Sequence, residues 1–261
     1  MIAGEIMKHL TVNYHTHTYR CGHACGADRD YVENAIRAGV RTLGFSDHSP
    51  MIFKTDYYSG FRIPLHLTAD YFESLARLRE EYKNEIRILI GVEAEYYPEL
   101  FEGYLEYMAA FPLDYMILGQ HFVWDEQTGF PSFQRTGDPE RLRQYYENVL
   151  AGAATGRFLY IAHPDVLKYE GDAAAYQELT ADFLTRVKPL GIPLELNRLG
   201  FADGRHYPRR EFWELCGAMD VPAVIGLDAH DPAVFTDEAA VERLYEFGGS
   251  CGVRILPALD V

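Results

Sequence analysis

The feature that most constrains the fold is a regular alternation of two kinds of segment. Seven short apolar runs, rich in β-branched and aromatic residues, occupy 10–17, 41–48, 86–97, 115–123, 158–166, 192–197 and 222–230. Longer segments with helical periodicity occupy 28–39, 68–85, 99–110, 138–151, 174–188, 209–219 and 237–247. This alternation predicts a parallel α/β sheet, open or closed as a barrel, in a single domain spanning residues 1–261.

Most histidines fall at one position relative to the predicted strands, at or just after the carboxyl end. These are His15, His17, His23, His48, His121, His163 and His230. Carboxylates join them at the same level, namely Asp47, Glu93, Glu95, Glu195 and Asp228. Because ligands of parallel α/β folds bind at the carboxyl ends of the strands, we expect these side chains to converge. His9, His66 and His206 lie elsewhere and are predicted to be ordinary structural or surface residues.

The spacing of these residues points to metal ions. His15 and His17 are two residues apart, so on a strand both point to the same face, and the pairs Glu93 with Glu95 and Asp228 with His230 share this spacing. Imidazole combined with carboxylate suits zinc, iron or manganese better than magnesium or calcium. About nine donors exceed the four or five that one zinc ion takes, so two to three divalent ions are predicted.

Composition limits the partners and the compartment. Asp and Glu total 39 against 24 Lys and Arg, and the net charge of -15 argues against nucleic-acid or anionic-membrane binding. The N-terminus MIAGEIMKHL lacks the features of a signal peptide, and no apolar run reaches the ~20 residues of a membrane span, so the cytoplasm is expected. Cys21 and Cys25 form a C-x3-C pair without a second cysteine pair, so reduced thiols are expected rather than a zinc knuckle.

Six motifs occur in an order that resembles a known family. The run HTHTYRCGHACGADRDYVENAIRAGVRTLGFSDHSP is followed by GVEAEYY, GQHFV, AHPDV, LELN and GLDAHDP. Together they resemble the PHP (polymerase and histidinol phosphatase) superfamily, and within it the histidinol-phosphatases of the HisK type. The resemblance covers about residues 12–232, and the ordered set is far more specific than His-x-His alone. It implies a distorted (β/α)7 barrel that holds three metal ions.

The resemblance also implies roles for individual residues. His15, His17, Glu93 and Asp228 would hold one ion, and His23, His48 and His230 a second; Glu93 would bridge to a third ion, held also by His121 and His163. Glu95 would order histidines or contact substrate. Arg198 or Arg205 would bind the phosphate, and we favour Arg205 because it lies just before the Tyr-Pro pair that follows the family arginine. The chain departs from the family at Leu227, which replaces a serine, and in its longer 198–206 segment.

The implied activity is that of a metal-dependent phosphomonoesterase, hydrolysing L-histidinol phosphate to L-histidinol and phosphate by a metal-activated hydroxide. Glu93, Asp228 and Arg205 are the predicted catalytic residues. The long segment 49–66 is predicted to be an active-site loop, whose Phe53, Tyr57 and Tyr58 could cover an imidazole ring. Three alternatives stay open at this point. They are a phosphoesterase for another small ester such as a nucleotide or sugar phosphate, a metal-dependent amidohydrolase, and a non-catalytic metal-binding module.

Overall fold

A computed structural model describes residues 9–261, arranged as parallel strands separated by helices. Residues 1–8, which carry most of the N-terminal segment considered above, lie outside the described residues. The strands are β1 (Val12–Asn13), β2 (Thr42–Phe45), β3 (Arg87–Ala94), β4 (Tyr115–Leu118), β5 (Phe122–Val123), β6 (Phe130–Pro131), β7 (Leu194–Asn197) and β8 (Ala223–Gly226). The α-helices are α1 (Asp28–Arg37), α2 (Thr68–Glu81), α3 (Pro98–Met108), α4 (Pro139–Ala154), α5 (Ala173–Val187), α6 (Arg198–Ala202), α7 (Arg210–Ala218) and α8 (Glu238–Ser250).

The parallel strands form a curled sheet. Strands β1, β2, β3 and β4 pair in that order, and β7 pairs with β8, all in parallel. A bridge from Leu118 to Ile161 and another from Ile161 to Leu194 connect the two groups. A further parallel bridge joins Thr16, beyond β1, to Ala229, beyond β8. The carboxyl ends of all these strands therefore face one common space.

The sequence predicted the helices correctly, but it predicted longer strands than the structure contains. The seven predicted helices all form within a few residues of their expected bounds. The predicted strand at 158–166 is wrong as a strand, because only Ile161 makes bridges there. His163 turns the backbone into the left-handed region and Pro164 has no amide hydrogen, so no further bridge forms beyond Ile161. The hairpin of β5 and β6 and the short helix α6 were not predicted.

Alternation along β3 separates two cores. Ile88, Ile90 and Val92 face the helices and belong to the main hydrophobic cluster. Leu89 faces the inside of the curled sheet with six other buried residues: Tyr14, Tyr115, Ile117, Tyr160, Ala162 and Val224. Glu93 falls on the same inner face as Leu89, four residues later. The inner apolar cluster thus forms a floor beneath Glu93.

Acidic caps begin several of the helices that cover the sheet. The side chains of Asp138, Asp172 and Asp237 accept hydrogen bonds from the first turns of α4, α5 and α8. Asn197, the last residue of β7, caps α6 by accepting from the Gly200 amide at 2.9 Å. Among residues 9–261, no helix combines the length and apolar character needed to cross a membrane.

Candidate metal centre

The nine predicted metal ligands lie close together at the carboxyl ends of the strands. In chain order they follow β1 (His15, His17, His23), follow β2 (His48), lie in β3 (Glu93), follow β4 (His121), follow the bridge at Ile161 (His163) and follow β8 (Asp228, His230). His23 is exposed and His230 is half-buried, whereas the other seven are buried. The structure therefore brings together residues up to 215 positions apart in the sequence.

Glu93 is the hub of the cluster. Its Oε1 lies 2.8 Å from His163 Nε2 and 3.5 Å from His121 Nε2. Its Oε2 lies 3.0 Å from His48 Nδ1 and 3.7 Å from the Nε2 atoms of both histidines of the His-x-His pair. A single buried carboxylate therefore faces five imidazole rings, which is the arrangement expected of a side chain shared between ions.

Asp228 organises the opposite side of the cluster. Its Oδ1 lies 3.0 Å from His17 Nε2, 3.4 Å from His230 Nδ1 and 3.5 Å from His15 Nε2. Its Oδ2 accepts a hydrogen bond from Asn197 Nδ2 at 3.0 Å, which fixes the plane of the carboxylate. Asp228 therefore presents one oxygen to the histidines while the other is held by β7.

Two pairs of histidine nitrogens face each other at short distance. The Nε2 atoms of His15 and His17 lie 3.1 Å apart, and those of His23 and His230 lie 3.0 Å apart. Only one proton fits between the two nitrogen atoms of each contact. At least one of the two nitrogens therefore points an unprotonated lone pair at its neighbour. Such an arrangement is suited to a shared cation.

Unpartnered buried atoms support the same interpretation. Glu93 Oε2, His48 Nδ1 and His163 Nδ1 are buried and make no aligned hydrogen bond within the described chain. Leaving such atoms unpaired is costly unless another group binds them. Three donor sets lie within ion-binding distance of one another: His17 with His48 and His230, His15 with His17 and Asp228, and His15 with Glu93 and His163. The residues present therefore fit several divalent ions.

Three further carboxylates lie behind the cluster and contact the far nitrogens of its histidines. A carboxylate oxygen of Glu195 lies 2.7 Å from His15 Nδ1, one of Asp47 lies 3.3 Å from His17 Nδ1, and one of Glu95 lies 2.8 Å from His121 Nδ1. A carboxylate at Nδ1 keeps the proton there and leaves Nε2 free to bind a cation. For Glu95, the structure supports the predicted ordering of a histidine, whereas a substrate contact is not supported because Glu95 is fully buried behind His121.

Two of the predicted ligands have unusual backbones. His163 and Asp228 have φ values of 28° and 50°, in the left-handed region that residues other than glycine rarely adopt. Strained conformations of this kind cluster at functional sites, where they aim a side chain that a regular strand would point elsewhere. Here they turn both side chains toward Glu93 and the His-x-His pair.

A cavity of about 540 Å³ opens above the cluster. Its floor includes Glu93, Asp228 and five of the histidines, and its wall includes Arg205 and Tyr207. Arg205 Nη1 donates to the Tyr207 hydroxyl at 3.2 Å, and Nη2 pairs with Asp203 at 2.8 Å. Among the described residues, Arg205 is the one arginine or lysine that lines this cavity.

Arg198 and Leu227 lie outside the cavity wall. Arg198, predicted above as a substrate-binding residue, pairs instead with Asp237 and is buried under helix α8. The cap formed by Asn197 begins α6 directly at Arg198, and this turn carries the guanidinium away from the cavity. Leu227, the departure from the family pattern, is buried in the main core and its amide donates to Asn13.

The aromatic wall of the cavity differs from the predicted one. Phe61 from the 49–66 loop lines the cavity together with Phe122 and Phe133 of the unpredicted hairpin region. Phe53 and Tyr57 instead pack edge to face against each other, and Tyr58 is 73% exposed. The loop therefore contributes to the site, but through Phe61 rather than through the residues expected.

The metal-free cluster contains histidines of opposite character. Burial opposes a proton on His15, yet Glu195 and two further carboxylates outweigh it and raise the pKa of His15 to about 10. The pKa of His17 is likewise raised, against burial, by its hydrogen bonds to acidic partners. Burial holds the pKa of His48 well below its usual range, and burial together with nearby His17 lowers the pKa of His230 to about 3.

These shifts predict how the metal-stripped protein responds to pH. Because one proton fits between the Nε2 atoms of His15 and His17, the folded pair holds one extra proton, and it holds that proton more tightly than the histidines of the unfolded chain, which titrate near ~6.5. That stabilisation is present below about pH 6.5 and is lost as the pH rises through the folded values. The melting temperature in excess chelator should therefore fall between about pH 7 and about pH 10. A melting temperature that is constant or rises over that range would contradict the prediction.

The sequence reasoning missed one buried group near the cluster, Arg62. Its guanidinium lies between Glu95 and Glu126, at 2.5 Å and 2.7 Å. Arginines in turn-rich loops are ordinarily solvated, and nothing in GFRIP marks this one as buried. The burial depends on two carboxylates that meet only after folding.

Comparisons with known proteins agree on the family. A family model described as "PHP domain" matches residues 13–199. A protein of Deinococcus radiodurans named probable histidinol-phosphatase is 28% identical over 243 residues, covering 90% of this chain and 93% of that protein. The histidinol-phosphatase of Bacillus subtilis is 24% identical over 264 residues, covering 88% and 97%.

One solved structure has the same fold over almost the whole chain. It is the histidinol phosphate phosphatase of Lactococcus lactis, determined with zinc, L-histidinol and phosphate. The match has a TM-score of 0.74 at 20% identity and covers 97% of this chain and 99% of that chain. At this identity, the likeness shows the shared fold.

Proposed function

Because the chain belongs to the PHP domain family, we propose that it is a metal-dependent phosphomonoesterase that hydrolyses L-histidinol phosphate to L-histidinol and phosphate. The observation that carries the proposal is the Glu93-centred cluster of histidines and carboxylates at the floor of a cavity whose wall holds Arg205. The names of the two curated relatives described above support this choice of substrate.

The proposed architecture is a single PHP domain built as a distorted (β/α)7 barrel. Six of the seven barrel strands correspond to β1, β2, β3, β4, β7 and β8. The seventh strand is reduced to the bridging residue Ile161. The bridge between Thr16 and Ala229 supports closure of the ring, because it joins the segments that follow the first and last strands. A barrel of this kind explains why the nine candidate ligands converge from six separate strand positions.

We assign two to three divalent ions, of zinc, iron or manganese, to the nine residues. The proposed ligands are His15, His17, His23, His48, Glu93, His121, His163, Asp228 and His230. When bound, such ions supply the Lewis acidity and the positive charge that phosphate-ester hydrolysis needs at neutral pH. They also account for anion binding by a chain with a net charge of -15.

The chain's own groups would position the substrate. Arg205 would donate to the phosphoryl oxygens, since a planar guanidinium matches their geometry, and the Tyr207 hydroxyl holds Arg205 toward the cavity. Phe61, Phe122 and Phe133 would exclude water and flank the planar ring of the departing alcohol. Glu93 and Asp228 would keep the histidine rings oriented around the reacting phosphate.

Phosphate release from a panel of esters tests the function. Protein loaded with zinc, manganese or iron should hydrolyse L-histidinol phosphate with a higher kcat/KM than nucleotide monophosphates, sugar phosphates or phosphotyrosine. Negligible release from L-histidinol phosphate beside a good rate on another ester would assign the site to that ester. Absence of both bound metal and activity on every ester would favour a non-catalytic module instead.

Replacing Arg205 by alanine should weaken substrate binding without removing metal. Hydrogen bonds to charged groups contribute about 1.5–3 kcal/mol, so kcat/KM should fall about 10- to 100-fold. Steady-state kinetics and elemental analysis of the same preparation provide the two measurements.

Arg209→Ala is the matched control for this variant. Arg209 stacks on Tyr176 and donates to the Tyr169 carbonyl, outside the cavity wall. Its loss should leave the kinetics within about twofold of the wild type. If Arg209→Ala weakened substrate binding and Arg205→Ala did not, the phosphate would be held by Arg209 instead of Arg205.

A further inference from the structure

Arg62 is a buried cation held by two buried carboxylates. It is 3% exposed, whereas Glu95 and Glu126 are 0% and 6% exposed. Its Nη1 donates to Glu95 Oε2 at 2.5 Å and its Nε donates to Glu126 Oε2 at 2.7 Å. A buried charge is tolerated only when it is paired and hydrogen-bonded, so the three groups form one unit.

This unit reaches the metal cluster through Glu95. One carboxylate oxygen of Glu95 accepts from Arg62, and the other lies 2.8 Å from His121 Nδ1. The guanidinium favours the ionised carboxylate, which can only accept hydrogen bonds, so the proton lies on His121 Nδ1. His121 Nε2 then carries a free lone pair that can bind a cation, and this nitrogen lies 3.5 Å from Glu93 Oε1.

We infer that Arg62 is a positioning residue for the ion assigned to His121, His163 and Glu93. With the metal sites as proposed above, Arg62 holds Glu95, and Glu95 fixes the tautomer and the ring orientation of His121. Arg62 touches neither ion nor substrate in this arrangement, so its effect passes through His121.

Only one of the three supporting carboxylates depends on an arginine. Glu195 is held by Asn197 Nδ2 at 2.9 Å and by the His163 amide at 3.0 Å. Asp47 is held by the Thr18 hydroxyl and by the His48 amide. These neutral donors come from the strand ends themselves, whereas Arg62 comes from the 49–66 loop. Among these three histidines, His121 is therefore the one whose supporting carboxylate is held by a side chain of the loop.

The loop is tied to the hairpin by the same unit. Tyr57 donates to Glu126 Oε1 at 3.1 Å, and Glu126 lies between β5 and β6. The guanidinium carbon of Arg62 lies 4.6 Å from the ring centroid of its neighbour Phe61, which lines the cavity. Arg62 thus holds together the loop, the hairpin and the support of His121.

Metal stoichiometry and affinity of Arg62→Met test the inference without any substrate. Loss of a partner behind a metal ligand typically costs 10- to 100-fold in affinity. We expect one ion per chain to bind more weakly, with its dissociation constant, measured by chelator competition with zinc, rising by that factor while the remaining ions stay bound as in the wild type. A general loss of folding would instead lower the occupancy of every ion together.

Arg79→Met is the matched control. Arg79 pairs with Asp114 at 2.8 Å near the amino end of β4, away from the cluster, and its removal should leave metal binding unchanged. Wild-type zinc stoichiometry and affinity in Arg62→Met, with only a lowered melting temperature, would overturn the inference. If Arg62→Met does not fold, Arg62→Lys decides, because a lysine keeps the charge but cannot reach both carboxylates as a guanidinium does. Its zinc affinity should fall about tenfold, and wild-type affinity would overturn the inference.

Discussion

Glu93→Gln should lose more than one metal ion per chain and about a thousandfold in kcat/KM. The carboxylate faces five histidine nitrogens through both oxygens, and the amide that replaces it has one acceptor oxygen and no charge. A thousandfold loss corresponds to about 4 kcal/mol of transition-state stabilisation. Elemental analysis of the purified variant and phosphate release from L-histidinol phosphate are the measurements.

Asp28→Asn separates this loss from a general effect on folding. Asp28 is also a buried carboxylate, and it accepts from Arg20 at 2.9 Å outside the cluster. Its replacement should lower the melting temperature while metal content stays at the wild-type level. Full metal occupancy in Glu93→Gln would show that Glu93 does not bridge ions, and the ligand assignment would then need a different hub.

The arrangement of the cluster was largely predictable because it follows from strand geometry. Parallel strands end at one edge of a sheet, so the side chains that follow β1, β2, β4 and β8 were expected to converge near the end of β3, and the family motifs supplied their individual roles. The match of the PHP model to 13–199 is consistent with the motifs that gave the same expectation. No knowledge of side-chain packing was needed for this step.

The surroundings of the cluster were not predictable, because they depend on contacts between loops. Phe133 reaches the cavity through a hairpin whose strands have only two residues each, too short for a periodic signal. Arg198 and Arg205 lie seven residues apart, and only the position of α6 directs one of them away. Arg62 is buried because Glu95 and Glu126 meet it from different elements, which no local pattern records.

Gly119→Ala should disable the site while leaving every proposed ligand in the sequence. A Cβ at Gly119 would lie 1.9 Å from Glu93 Oε1 and 2.5 Å from its Cδ, closer than real side chains approach. Glu93 would have to move by about an ångström, and a displacement of that size can cost about a hundredfold in rate. We expect kcat/KM to fall by about that factor, with a smaller loss of metal than in Glu93→Gln because the carboxylate remains.

Gly103→Ala is the matched control, since it makes the same chemical change where space is open. A Cβ at Gly103 meets nothing within 4 Å, and the residue lies inside α3, where alanine is favoured over glycine by about 0.5–1 kcal/mol. This variant should keep wild-type activity and melt slightly higher. If Gly119→Ala also kept wild-type activity and metal content, the carboxylate of Glu93 could move without cost. Catalysis would then depend on the charge of Glu93 rather than on its fixed position between the histidines.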